Sequence, residues 1–177
     1  GSWGSALAIV LAENGHNTLL WTHRADQAAE INTQHTNKKY LPNTILPTSL
    51  KSTSDLAVAA HHAKTIVVAV PTKAIREVCG SLLDELTENV LFVHVSKGIE
   101  PDSLLRISEL MEQSLNPDII DEIVVLSGPS HAEEVVLQHP TTVTAACKNL
   151  AAAKKVQDLF MNQYFRVYTN DDVIGVE

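Results

Sequence analysis

The residues best suited to chemistry follow apolar runs at three breaks: Pro71-Thr72, Ser96-Lys97-Gly98 and Ser127-Gly128-Pro129-Ser130. Lys97 stands between an apolar run and a glycine, where its ammonium can face a phosphate or a carbonyl oxygen. A lysine that only reaches from a strand end into solvent fits the same pattern. Gly128 permits close backbone approach. Ser130, three residues before Glu133, suits a capping box, a role that leaves ligand contact open. The chain opens on Gly1-Ser2-Trp3-Gly4 ahead of the small-residue run Ser5 to Ala12. Gly1 and Gly4 have the spacing of the last two glycines in G-x-G-x-x-G, the turn that seats a pyrophosphate on a helix N-terminus. Two glycines three apart also suit an ordinary loop before a helix.

A second strand should end roughly 20 residues beyond such a turn, where an acid would bind a ribose 2′-hydroxyl. Trp21-Thr22-His23-Arg24 occupies that place, with no acid before Asp26. An imidazole and a guanidinium suit a 2′-phosphate better, and so favour NADP over NAD. A solvated turn is the competing reading of His23 and Arg24.

Other constellations carry little. The eight histidines include no H-E-x-x-H, and no cysteine has metal-ligand spacing, so no metal site is expected. No G-x-S-x-G turn supports a hydrolase. Cys79 and Cys147 sit in apolar sequence and are expected to be buried, reduced thiols; a cytoplasmic setting follows from them.

These residues need a frame that brings strand exits together. Short apolar runs at Thr18–Trp21, Thr65–Val70, Val90–Val95, Ile123–Leu126, Thr142–Ala146 and Phe165–Tyr168 predict strands covered on both faces. Between them, Ile75, Val78, Cys79, Leu82, Leu83 and Leu86 form one helical stripe, and Ala152, Val156, Leu159 and Phe160 another. Thr72, Pro101 and the Ser130–Glu133 pair read as helix starts, and Gly15 as a helix stop. Asn32 to Ser54 reads as an irregular polar insertion. The alternation predicts an α/β fold, a Rossmann-like, doubly wound, mostly parallel sheet. In a parallel sheet the three polar breaks share one edge.

The chain has 177 residues, 45% of them hydrophobic and 19% charged, which suits one globular domain. Its net charge of −8, with no basic cluster beyond Lys38-Lys39 and Lys154-Lys155, argues against a nucleic-acid partner. No apolar run approaches the ~20 residues that a membrane span needs.

Taken in order, Gly1-Ser2-Trp3-Gly4-Ser5-Ala6-Leu7-Ala8, Tyr40-Leu41-Pro42, Ser96-Lys97-Gly98-Ile99-Glu100, Leu126-Ser127-Gly128-Pro129-Ser130 and Phe165-Arg166-Val167-Tyr168 resemble the bacterial-type NAD(P)-dependent glycerol-3-phosphate dehydrogenases. The ending Asn170-Asp171-Asp172-Val173-Ile174-Gly175-Val176-Glu177 looks like the approach to that family's second domain. The resemblance implies hydride exchange between sn-glycerol 3-phosphate and dihydroxyacetone phosphate, for glycerophospholipid synthesis. It implies cofactor contacts at Gly1, Ser2, Trp3, Gly4, His23 and Ala132, with Arg24 and Tyr40 weaker matches. Lys97 matches a residue that touches cofactor and substrate, and Gly128 and Ser130 match substrate contacts. The partner implied is a small phosphorylated substrate, and a homodimer is an open assembly. Residues 1–177 are then an NAD(P)-binding domain. The family's first strand is expected before Gly1, and its helical second domain, with the catalytic lysine, beyond Glu177. A ketopantoate or hydroxy-acid dehydrogenase of similar plan and a non-enzymatic dinucleotide-binding module are the rival readings.

Overall fold

Strands and helices alternate along the chain, as the sequence patterning requires. The computed structural model describes residues Gly1–Glu177. It begins with α1 (Ser2–Glu13), β1 (Leu19–Trp21), α2 (Ala25–Gln34), β2 (Thr36–Asn37), β3 (Leu41–Ile45) and β4 (Lys51–Thr53). It continues with α3 (Leu56–Ala60), β5 (Thr65–Val68), α4 (Ile75–Leu83), β6 (Val90–His94) and α5 (Ile107–Ser114). Then follow β7 (Ile120–Ser127), α6 (Ala132–Val136), β8 (Thr141–Ala146), α7 (Leu150–Phe160), β9 (Phe165–Asn170) and α8 (Val173–Val176).

The main sheet has the order β5-β6-β7-β8-β9. Strands β5, β6 and β7 are mutually parallel, β8 runs antiparallel to β7, and β9 is parallel to β8. The exits of β5, β6 and β7 therefore do share one edge. Strand β1 pairs in parallel with β4 as a separate two-stranded piece, Leu19 opposite Lys51. No ladder joins that piece to the main sheet.

Every residue of β6 is buried, and successive side chains serve opposite faces. Leu91 and Val93 enter the core shared by α1, α6 and α7, while Val90 and Phe92 enter the core beneath α4 and α5. Ser5 through Val10 and Ala12 are buried in α1, so that helix is covered almost all round, which its small side chains permit. It stops at Asn14, followed by Gly15 at φ 86°. Cys79 and Cys147 are buried and unbridged, and burial pushes both thiols up to about 11. No helix is long and apolar enough to cross a membrane.

Several local expectations are corrected. Asn32 to Ser54 is no irregular insertion: it completes α2 and holds the β2–β3 pair and β4. Ser52 donates its hydroxyl to Leu20 O at 2.7 Å and its N–H to Asn32 Oδ1 at 2.9 Å, so tertiary contacts order a strand with little apolar signal. Pro101 lies in a turn, and the helix after β6 starts only at Ile107. Thr72 opens a 3-10 turn rather than capping α4, because its hydroxyl donates to Lys97 O at 3.2 Å. His131, not Ser130, is the N-cap of α6, and the Ser130 hydroxyl turns back to Gly128 O at 3.3 Å.

Candidate dinucleotide and phosphate site

The shared edge is laced together by its own polar residues. Ser96 donates from Oγ to Val70 O at 2.6 Å, tying the β6 exit to the β5 exit. Lys97 crosses the other way, its Nζ donating to Gly128 O at 3.0 Å beyond β7. Gly128 allows this geometry because β8 passes directly beneath it. A Cβ there would stand 2.8 Å from Thr142 O and 2.9 Å from Val143 Cα, both backbone atoms. The close approach is to the chain's own backbone, a specific reason for glycine at 128.

A cleft of about 290 Å³ opens at this edge. Ser2 and Trp3 of α1 form one wall, Val95 and Lys97 another, and Ser130, His131, Ala132 and Glu133 the third. Three features predicted from separate stretches thus meet: the glycine turn, the Lys97 break and the Ser-Gly-Pro-Ser turn. His131 and Glu133 were not anticipated as lining residues. A lone exposed histidine beside a short helix has no spacing signature.

The α1 terminus fits an anionic dinucleotide. Its N-cap, Gly1, has no side-chain cap and the first turn holds no acid, a helix start of the kind that suits an anion. Trp3 Nε1 is buried with no hydrogen-bond partner. Gly4 lies against Ala69, where an added Cβ would come within 3.1 Å of the alanine Cβ, so α1 can press closely on the β5 exit.

The terminus is held from below by a buried polar chain absent from the sequence reading. Ser5 donates to Gly1 O at 2.9 Å and accepts from Asn37 Nδ2 at 2.8 Å. Gln27 Nε2 donates to Asn37 Oδ1 at 3.1 Å, and Thr22 Oγ1 lies 3.2 Å from Gln27 Oε1. All four side chains belong to buried residues, so the glycine turn and the end of β1 share one satisfied network.

At the end of β1, His23 and Arg24 are exposed. The Arg24 guanidinium is bound through both Nε and Nη2 to Asp26. The Asp26 pairing holds the guanidinium pKa above its ordinary value and the carboxylate below its own. An acid therefore does stand at this edge in space, and Arg24 would have to leave it to meet a 2′-phosphate. Tyr40 is half-buried, with the Lys39 ammonium 5.2 Å above its ring.

Below the cleft, Glu177 enters the protein with its side chain 2% exposed. Its Oε1 accepts from Ser108 N at 2.7 Å and stands 3.2 Å from Nε2 of fully buried His94. Its Oε2 accepts from Ser108 Oγ at 2.7 Å and Arg106 Nη1 at 2.9 Å. Burial alone would raise this carboxyl pKa, but the His94 imidazole and the Ser108 donors outweigh it and hold it at about 2.

Comparison with known proteins agrees with this geometry. Residues 1–153 match the family model described as the NAD-dependent glycerol-3-phosphate dehydrogenase N-terminus. The chain belongs to that family. A glycerol-3-phosphate dehydrogenase [NAD(P)+] of Lysinibacillus sphaericus is 78% identical over the whole chain, which covers 52% of that relative. The Bacillus subtilis enzyme of the same name is 62% identical, again over the whole chain and 51% of the relative. The crystal structure of glycerol-3-phosphate dehydrogenase from Coxiella burnetii superposes with a TM-score of 0.88 at 34% identity, covering all of this chain and 53% of that one. The chain thus spans about half the length of the curated relatives it matches. The residues that match that family's N-terminus form an α/β domain with a mostly parallel central sheet.

Proposed function

We propose that this chain forms the cofactor half of a glycerol-3-phosphate dehydrogenase site, interconverting sn-glycerol 3-phosphate and dihydroxyacetone phosphate. The observation that carries the reading is the meeting of Lys97, Ser130 and the uncapped α1 N-terminus around one cleft. The N–H groups at the start of α1 would hold the pyrophosphate of a nicotinamide dinucleotide, with Ser2, Trp3 and Ala132 beside it, and that cofactor would supply or accept the hydride. His23, Arg24 and Tyr40 would face the ribose end, and an imidazole beside a guanidinium favours NADP. Lys97 orients the substrate and stabilises negative charge on its oxygens, assisted by Ser130 and the Gly128 backbone. The family resemblance gives the role of proton donor to the carbonyl oxygen to a lysine beyond Glu177. A strand preceding Gly1 would fill the interval between β1 and β5. Glycerophospholipid supply and a cytoplasmic setting follow from the same reading.

The test uses the product of the complete coding sequence that contains these residues. NADPH and NADH oxidation is followed with dihydroxyacetone phosphate, ketopantoate and short 2-oxo acids. The proposal expects the highest kcat/KM with dihydroxyacetone phosphate. A higher value with either rival class overturns it, and cofactor binding without any turnover favours the non-enzymatic reading.

A further inference from the structure

The loop that carries Lys97 runs from Val95 to Leu105, between the last residue of β6 and the N-cap of α5. Those two flanking residues are His94 and Arg106. One carboxylate touches both: Glu177 Oε1 lies 3.2 Å from His94 Nε2, and Oε2 accepts from Arg106 Nη1 at 2.9 Å. The same carboxylate takes the Ser108 N–H in the first turn of α5. Neither ring nitrogen of buried His94 makes a hydrogen bond, and Nε2 meets Glu177 as an ion-pair contact at 3.2 Å.

We infer that Glu177 is a positioning residue for Lys97, clamping the two ends of its loop together from the α8 side. The clamp matters because the upper part of the loop is held at the surface. Arg76 grips Glu100 through two hydrogen bonds of 2.7 and 2.6 Å, and Thr72 donates to Lys97 O; Arg76 is exposed, while Glu100 and Thr72 are partly buried. An ion pair with one partner in solvent exchanges with water more readily than a buried one. The base of the loop is different: His94 is fully buried and the Glu177 side chain nearly so. A carboxylate with that many donors in a water-poor setting resists displacement, and it fixes where the strand ends and where the helix begins. The reach from this base to Lys97 Nζ is then set, and the ammonium meets Gly128 O across the cleft. Because Glu177 follows α8 directly, the path of the chain after β9 is tied to the Lys97 loop by the same contact.

This inference rests on the role proposed above for Lys97, and a double-mutant cycle separates the two. The product of the complete coding sequence is made as Lys97→Ala, Glu177→Gln and the double variant, and kcat/KM is measured with dihydroxyacetone phosphate and NADPH. Glu177→Gln keeps the shape but points an amide N–H₂ at a site built from donors. Since a displacement of ~1 Å can cost a hundred-fold, a loss of about ten- to a hundred-fold is expected from Glu177→Gln alone. In the Lys97→Ala background the same change should add less than about threefold, because the group it positions is gone. Two impaired single variants whose effects multiply in full would overturn the clamp while leaving Lys97's role intact. A Glu177→Gln variant with normal kinetics would also overturn it, and a normal Lys97→Ala would overturn both readings. If Glu177→Gln does not fold, Ser108→Ala removes one donor and keeps the backbone N–H. A smaller loss that again vanishes beside Lys97→Ala supports the clamp, and one that multiplies contradicts it.

Discussion

Lys97 Nζ and Gly128 O are 3.0 Å apart, joined by a hydrogen bond that spans the exits of two parallel strands. The relationship is possible because β6 and β7 are neighbours in register, His94 opposite Val125, so both chains leave the sheet at the same level. A bound phosphate or carbonyl oxygen would take over the ammonium now held by the peptide oxygen.

Gly128 itself gives a stability prediction. In Gly128→Ala the new methyl meets two backbone atoms of β8 under 3.0 Å, and backbone cannot turn aside as a side chain does. Overpacking of this kind costs about 1–3 kcal/mol. Urea denaturation of the variant should show a lower midpoint with an unchanged slope. An unaltered midpoint would mean that β8 yields there freely.

The proposed preference for NADP rests on the end of β1. Replacing His23 and Arg24 together with alanine is expected to weaken NADPH binding more than NADH binding. Asp26→Asn is expected to act in the opposite direction, because it releases the Arg24 guanidinium from its paired carboxylate. Titrating both cofactors into each variant decides the matter. Equal losses for NADH and NADPH would remove the 2′-phosphate role.

Acid stability should report Glu177. Its carboxyl sits at about 2 in the folded protein against an ordinary value of 4.5. A depressed folded pKa contributes stability above the unfolded value, lost as pH falls through the folded one. The window is therefore pH 4.5 down to 2, and the contribution is on the order of 3 kcal/mol. Glu177→Gln should show a shallower fall of unfolding free energy across that window than the parent. Parallel curves would place the acid sensitivity elsewhere.

Much of this arrangement was legible in the sequence because it rests on local pattern. Val90 to Val93 is continuously apolar since β6 is covered on both faces, and Lys97 is conspicuous soon after that run ends. The glycine turn is visible as spacing, and Gly128 and Ser130 as a break. What escaped detection depends on distant partners. Strand β4 consists of Lys51, Ser52 and Thr53, and it is ordered by Leu20 and Asn32. The chain Ser5–Asn37–Gln27–Thr22 joins polar residues that look solvent-facing one by one. Asp26 was set aside by its position in the sequence, yet it folds back on Arg24. His131 has no motif, and Glu177 closes a segment that resembles the family without any local sign of burial, which becomes intelligible once the donors of β6 and α5 converge on it.

Residues 1–177 made by themselves are expected to give no measurable reduction of dihydroxyacetone phosphate. On the proposed reading they supply the cofactor face of the cleft, and the lysine that the family resemblance makes the proton donor is not among them. The comparison is NADPH oxidation by this chain and by the product of the complete coding sequence. Measurable turnover by the chain alone would show that the catalytic residues lie within it.

The most direct test of the central claim is kcat/KM for dihydroxyacetone phosphate in Lys97→Ala, measured in the product of the complete coding sequence. A charge-assisted contact that acts on the transition state is worth ~2–4 kcal/mol, which corresponds to a loss of about thirty- to a thousand-fold. The account predicts that loss in a variant that still folds, since the Lys97 side chain is exposed and removing it leaves no buried gap. Near-normal kcat/KM would contradict the account and leave Lys97 as a strand-end lysine that reaches into solvent.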